Sequence, residues 1–249
     1  MNMNKNSLAK TIISLIYAGL LLSIHPRATA QTPDPAEPVD MWDHWFVMGN
    51  KVVFGGQDKI KHSHEIQWRA NNNLQSLDRI MYEGVFTYSP NSHWEIVPDL
   101  RISIISGGIE WRPGFGIILK NYLGKPEQKF KTQLVHQVKW QADIFDEFKN
   151  GLRYMLSLSH IVNEHFIVTG LGGAFYRWSN DFTGLQFIRT GIGLSYVFDK
   201  MHSISFIDAI GFENRGPEIG ITYAHFPMVQ LIIRVNKNYK YLPAKYINF

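Results

Sequence analysis

The chain has 249 residues, with 25 Lys+Arg against 21 Asp+Glu and a formal charge of +4. That sign invites a nucleic-acid or anionic-membrane reading. Lys5, Lys10 and Arg27 fall in residues 1–30, which hold no acid, and beyond them the balance is 22 against 21. The absence of cysteine excludes disulfides, thiolate metal sites and a lipid-bearing Cys. A 45% hydrophobic content excludes disorder as the state of the whole chain.

In chain order, residues 1–10 are polar and basic, 11–24 (TIISLIYAGLLLSI) are apolar and uncharged, and Ala28-Thr29-Ala30 follows. That order predicts a secretory signal peptide over 1–30, cut between Ala30 and Gln31. The apolar run is shorter than the roughly 20 residues a spanning helix needs. Residues 31–43 start QTPDPAEPV, and three prolines in that stretch predict an extended leader. Residues 44–249 read as one domain, with no linker long enough to divide them.

From Trp45 onward the pattern has a period of two. Clear strands are expected at 64–71, 79–88, 94–104, 130–144, 152–159 and 188–198, and weaker ones at 45–54, 109–120, 164–178, 202–213, 217–226 and 228–236. In 130–144 the even positions Leu134, Val138, Trp140 and Ile144 share one face, opposite Lys131, Gln133, Gln137, Lys139 and Asp143. A helix would smear these classes around its circumference, whereas a strand sorts them onto two faces. Twelve segments predict twelve strands, or ten if a weak hairpin near the C-terminus is miscounted.

Alternation does not say which face meets solvent. A soluble barrel would enclose its apolar face, and an outer-membrane barrel turns that face to lipid. Segments of ten or more residues suit a tilted membrane strand. Trp68, Tyr82, Tyr88, Trp94, Trp111, Trp140 and Tyr154 lie on apolar faces, as a lipid-facing aromatic girdle would. The fold expected is therefore an all-β, antiparallel, up-and-down transmembrane barrel. Its polar faces would line the lumen with Arg69, Arg79, Arg101, Arg112, Lys120, Lys131, Lys139, Arg153, Arg189 and Arg234. Glu65, Glu83, Glu95, Asp99, Glu110 and Asp143 would face them, ten basic groups against six acidic. Such a lumen favours anions.

Residues 65–88, 128–156 and 187–198 resemble a Bacteroidota outer-membrane barrel family catalogued as domain-of-unknown-function family 2490. The strand motifs that carry the likeness are Gln67-x-Arg69, Gly151-Leu152-Arg153-Tyr154 and Arg189-x-Gly191-x-Gly193. A terminal aromatic, Phe249, resembles the signal read by barrel-assembly machinery. The resemblance implies an outer-membrane location in a Gram-negative bacterium, with membrane lipid and that machinery as partners. It brings no catalytic residues.

Three chemistries are open to such a chain. Passage or binding of an unknown small solute through the lumen is the leading one. A lipid hydrolase would need a partner for His136, mid-strand on the apolar face; Ser159-His160 and Ser63-His64 point to opposite faces and make no dyad. His62-x-His64, or His160 with His165, lacks a third metal ligand. No metal, cofactor or nucleic acid is expected, and enzymatic activity is not expected. The remaining alternative is a soluble periplasmic barrel holding a ligand in an apolar cavity.

Overall fold

The computed structural model describes residues 42–55, 59–124, 131–145, 148–180, 182–198, 202–214 and 220–235. The signal segment, its cleavage point, most of the leader, Asp199-Lys200 and the terminal aromatic lie outside them.

All twelve elements are strands. They are β1 (Trp42–His44), β2 (Phe46–Gly55), β3 (Ile60–Asn71), β4 (Ser76–Tyr88), β5 (Trp94–Ile105) and β6 (Gly108–Leu123). There follow β7 (Thr132–Ile144), β8 (Phe148–Ile161), β9 (Phe166–Trp178), β10 (Thr183–Val197), β11 (His202–Asn214) and β12 (Ile221–Arg234). From β2 to β12 each strand pairs antiparallel with the next, and β12 closes the sheet onto β2. The end bearing Ser89–His93 and Val162–His165 is called upper here, and the end bearing Asn72–Gln75 and Ser106-Gly107 lower.

The strand count needs a correction. The two segments expected at 217–226 and 228–236 are one strand. Alternation runs through Pro227 without a break, because Thr222, Ala224, Phe226, Met228 and Gln230 are all buried. The barrel wall therefore has eleven positions, and an odd up-and-down wall must close in parallel, as β12 and β2 do. β1 extends the same seam, with Trp42 opposite Tyr223 and His44 opposite His225. The register between them is shared, since Val47 stands opposite Met228. β1 and β2 are thus one ribbon interrupted at Trp45, beside the point where Pro227 has no N–H to offer. Trp45 donates its backbone N–H to the His225 carbonyl at 2.8 Å and packs its ring on Phe226. The barrel begins at Trp42, so the last two residues expected in the leader belong to β1.

The apolar face points outward. Trp94, Leu100 and Trp140 are 43%, 37% and 41% exposed, among many large apolar side chains on the same surface. The arrangement expected of a soluble barrel, with apolar side chains enclosing a ligand, is not the one adopted. Inside, polar and charged side chains alternate with small apolar clusters. One cluster joins Val85, Val97, Ile118 and Val135, and another joins Val47, Leu171, Ile207 and Met228.

The lower turn after β3 carries strain. Asn72, Asn73 and Leu74 have φ of 49°, 53° and 67°. Asn tolerates the left-handed region, but Leu pays for it through its Cβ.

Candidate functional site: a filled lumen and polar notches on the outer wall

The lumen is built by the inward positions of successive strands, so its chemistry follows from alternation. Its contents lie in layers. Near the upper end, Glu95 on β5 accepts from Lys61 on β3 at 3.2 Å and from Lys120 on β6 at 2.9 Å. The Val85–Val97–Ile118–Val135 cluster lies beneath. At mid-height Glu83 meets Arg101 at 3.0 Å and Lys139 at 3.5 Å, and Lys139 also reaches Asp99 at 2.6 Å. Toward the lower end, Glu110 bridges Arg79 and Arg112, and Asp143 bridges Arg112 and Arg177. Across the barrel, Glu65 meets Lys51 and accepts from Gln67 and Gln230. Arg189 pairs with Glu213 while its guanidinium stacks between Phe187 and Phe226.

This interior is filled at its upper and middle levels, while Arg79, Arg112 and Arg177 lower down keep 22%, 14% and 19% of their side-chain surface. Glu83, Ile118 and Lys120 are each 0% exposed, as are Gln67 and Ser103. A side chain beside a water-wide path would keep accessible surface, and these keep none. Barrels of about eight strands fill with side chains and sixteen-stranded porins stay open, and this wall lies between them.

Of the residues expected in the lumen, Glu65, Glu83, Glu95, Arg101, Lys120, Lys139, Asp143, Arg153 and Arg189 are buried there. Asp99 keeps a 2% exposed side chain, and Arg69, Arg79, Glu110, Arg112 and Arg234 are half-buried at inward positions. Lys131 is a correction. It precedes β7 and is exposed, because the alternation that would turn it inward starts only at Thr132. Lys51, Lys61, Arg177 and Glu213 also face the lumen. Their signal was present as alternation, but in segments or flanks where it was weak.

The aromatic residues divide by height. Tyr88 and Trp94 stand at the upper end, and Trp68, Trp111 and Trp140 stand toward the lower end, all on the outer face. Tyr82 and Tyr154 do not belong to a girdle, being mid-strand, where each is tied to a histidine. Tyr82 Oη lies 2.6 Å from His64 Nδ1, and Tyr154 Oη lies 2.8 Å from His136 Nδ1. Both pairs sit 18 residues apart in sequence, in the same diagonal register across neighbouring strands.

His136 therefore has a partner, and it is a phenol rather than a nucleophile with a base. His160 bonds Thr132, and Ser159 turns inward to Thr169. A third outer notch lies at the seam, where Asp208 Oδ1 is 2.6 Å from His225 Nε2 and His225 Nδ1 is 3.2 Å from His44 Nδ1. Among the described residues no group of three or more His, Asp or Glu side chains is placed to hold a metal.

These features define a closed up-and-down β-barrel, polar within and apolar without. No family model and no curated protein matches the chain. Among solved structures it is similar to the NanC porin in its rhombohedral crystal form, at 11% identity. That match has a TM-score of 0.47 and covers 70% of this chain and 86% of the porin chain. A likeness of that degree carries no functional inference.

Proposed function

We propose that the chain is an outer-membrane barrel, exported behind its signal segment, whose lumen is closed at rest by its own side chains. The supporting observation is the sorting of the wall: large apolar residues cover the outside while ionised groups are paired inside. Water would penalise that exterior and hydrocarbon would not. Membrane lipid is the partner of the outer face, and barrel-assembly machinery is the partner during insertion. The strand motifs are those of the domain-of-unknown-function family they resemble.

A second reading, passage or binding of small anions, is favoured by Arg69. Among the described residues its guanidinium has only the Gln67 carboxamide oxygen, at 2.9 and 3.2 Å, and no carboxylate. An anion admitted to the lower lumen would complete that site.

Two measurements test the proposal. Folded protein should sediment with the outer membrane and shift on SDS gels between unheated and boiled samples; a protein that stays soluble and unshifted is not a membrane barrel. In planar bilayers it should give no steady conductance. A stable, anion-selective conductance would replace the closed state with the second reading.

A further inference from the structure

The outer wall has a hollow where β3, β4 and β5 run side by side. The register sets it out as two rows of side chains: His64, Gly84 and Leu100 in one, and His62, Phe86 and Pro98 in the next row up. Gly84 contributes no side chain to its row, and the Tyr82 ring leans over it from the row below, its Oη 3.2 Å from where a Cβ would stand. The β4–β5 ladder pairs Val85 with Asp99 and resumes only at Tyr88 with Ile96, skipping Pro98, which has no N–H. A missing side chain and a gap in the ladder thus coincide. Together they leave a hollow of about 550 Å³ lined by these six residues and, at the gap in the ladder, by Val85 and Asp99, and widely open to the outside. That is within the size range of small-ligand sites, about 300–1,000 Å³.

One side of it is polar, along a chain that climbs from the row below the hollow to its upper row. Tyr82 Oη lies 2.6 Å from His64 Nδ1, and His64 Nε2 lies 3.0 Å from His62 Nδ1. A phenol is a better hydrogen-bond donor than a neutral imidazole, so Tyr82 donates to His64 Nδ1. His64 then carries its proton on Nε2 and donates to His62 Nδ1. The chain ends with an N–H on His62 Nε2, and the ring itself is held by stacking on Phe54 at 4.8 Å. His62 is exposed, one row below Tyr88 on the upper rim. Polar groups on a lipid-facing surface are costly and mark functional sites.

We propose that this hollow binds one phospholipid of the surrounding leaflet, its acyl chain between Phe86, Pro98 and Leu100, and its phosphate accepting from His62 Nε2. The apolar floor suits the chain, and an outward donor near the rim suits an anionic headgroup. The inference rests on the outer-membrane reading.

The test uses the full folded chain reconstituted in vesicles of phosphatidylglycerol, or of phosphatidylglycerol with diacylglycerol, then released and examined by native mass spectrometry. The wild type should retain one phospholipid. His62→Phe keeps the ring and its stacking but loses the donor. It should lower phospholipid retention by about tenfold, the worth of one hydrogen bond to a charged group, and leave diacylglycerol retention unchanged. Leu100→Trp fills the hollow without touching the Tyr82–His64–His62 chain and should abolish both, and Gly84→Leu, which also displaces the Tyr82 ring, does the same should the first variant fail to fold. Equal retention in wild type and variants, or a dimer in place of lipid adducts, overturns the proposal. A wild type that gives the heat-dependent gel shift yet retains no lipid overturns the lipid site alone. One that never inserts overturns the membrane reading with it.

Discussion

At the residue scale, the lumen is held largely by four carboxylates, Glu83, Glu95, Glu110 and Asp143, that each serve two bases. Glu83 is the clearest case, fully buried between Arg101 and Lys139. Removing it leaves two buried cations without that carboxylate, so Glu83→Ala should cost about 3–5 kcal/mol of unfolding free energy in a urea titration followed by gel shift. A loss well under 1 kcal/mol would mean the cluster is hydrated and the interior not sealed. Leu74 makes the opposite prediction. Its φ of 67° suits glycine, and its side chain is exposed, so Leu74→Gly should stabilise the protein by about 1 kcal/mol in the same titration. A neutral or destabilising result would place Leu74 in some interaction beyond its own turn.

At the scale of elements, each strand from β2 to β12 is long enough to cross a bilayer and presents one apolar face outward. Leu156 lies near the middle of β8 on that face. Leu156→Arg should destabilise a lipid-embedded barrel by about 2–4 kcal/mol, falling toward zero for the same change near either rim. Were the wall in water, the substitution would be close to neutral at every height, and the depth dependence would vanish. β12 teaches a different lesson. Pro227 looked like a turn because proline usually punctuates strands. Here it faces the seam, and the N–H it lacks coincides with the interruption of the ribbon at Trp45, while pairing resumes on both sides. Sequence alone cannot tell a proline that ends a strand from one that occupies a gap in its neighbour's pairing.

At the scale of the whole molecule, the parallel seam is the feature that most needs testing. Asn50 on β2 stands opposite Leu231 on β12. In a chain without cysteine, an Asn50→Cys, Leu231→Cys double variant offers a single possible cross-link. Neighbouring strands about 4.8 Å apart are within disulfide reach, so oxidation should join the two positions and block the shift on boiling. Failure to cross-link would mean the barrel closes in another register or with another strand between.

The sequence by itself determined the strands, their two faces and the separation of charge from apolar surface. All of these follow from a period of two, which is local and needs no knowledge of neighbours. Arg69, Arg101 and Lys139 could be assigned to one interior for that reason. Pairing could not be read in the same way. Along the ladder Glu65 stands opposite Glu83, Arg69 opposite Arg79, and Arg101 opposite Arg112, contacts that would repel if nothing else were near. Closure into a barrel brings groups from more distant strands: Lys139 of β7 reaches Glu83 of β4, and Gln230 of β12 reaches Glu65 of β3. The eleven-position wall, the filled lumen and the hollow beside Pro98 arise the same way. Each depends on which strands become neighbours, and only a closed sheet fixes that.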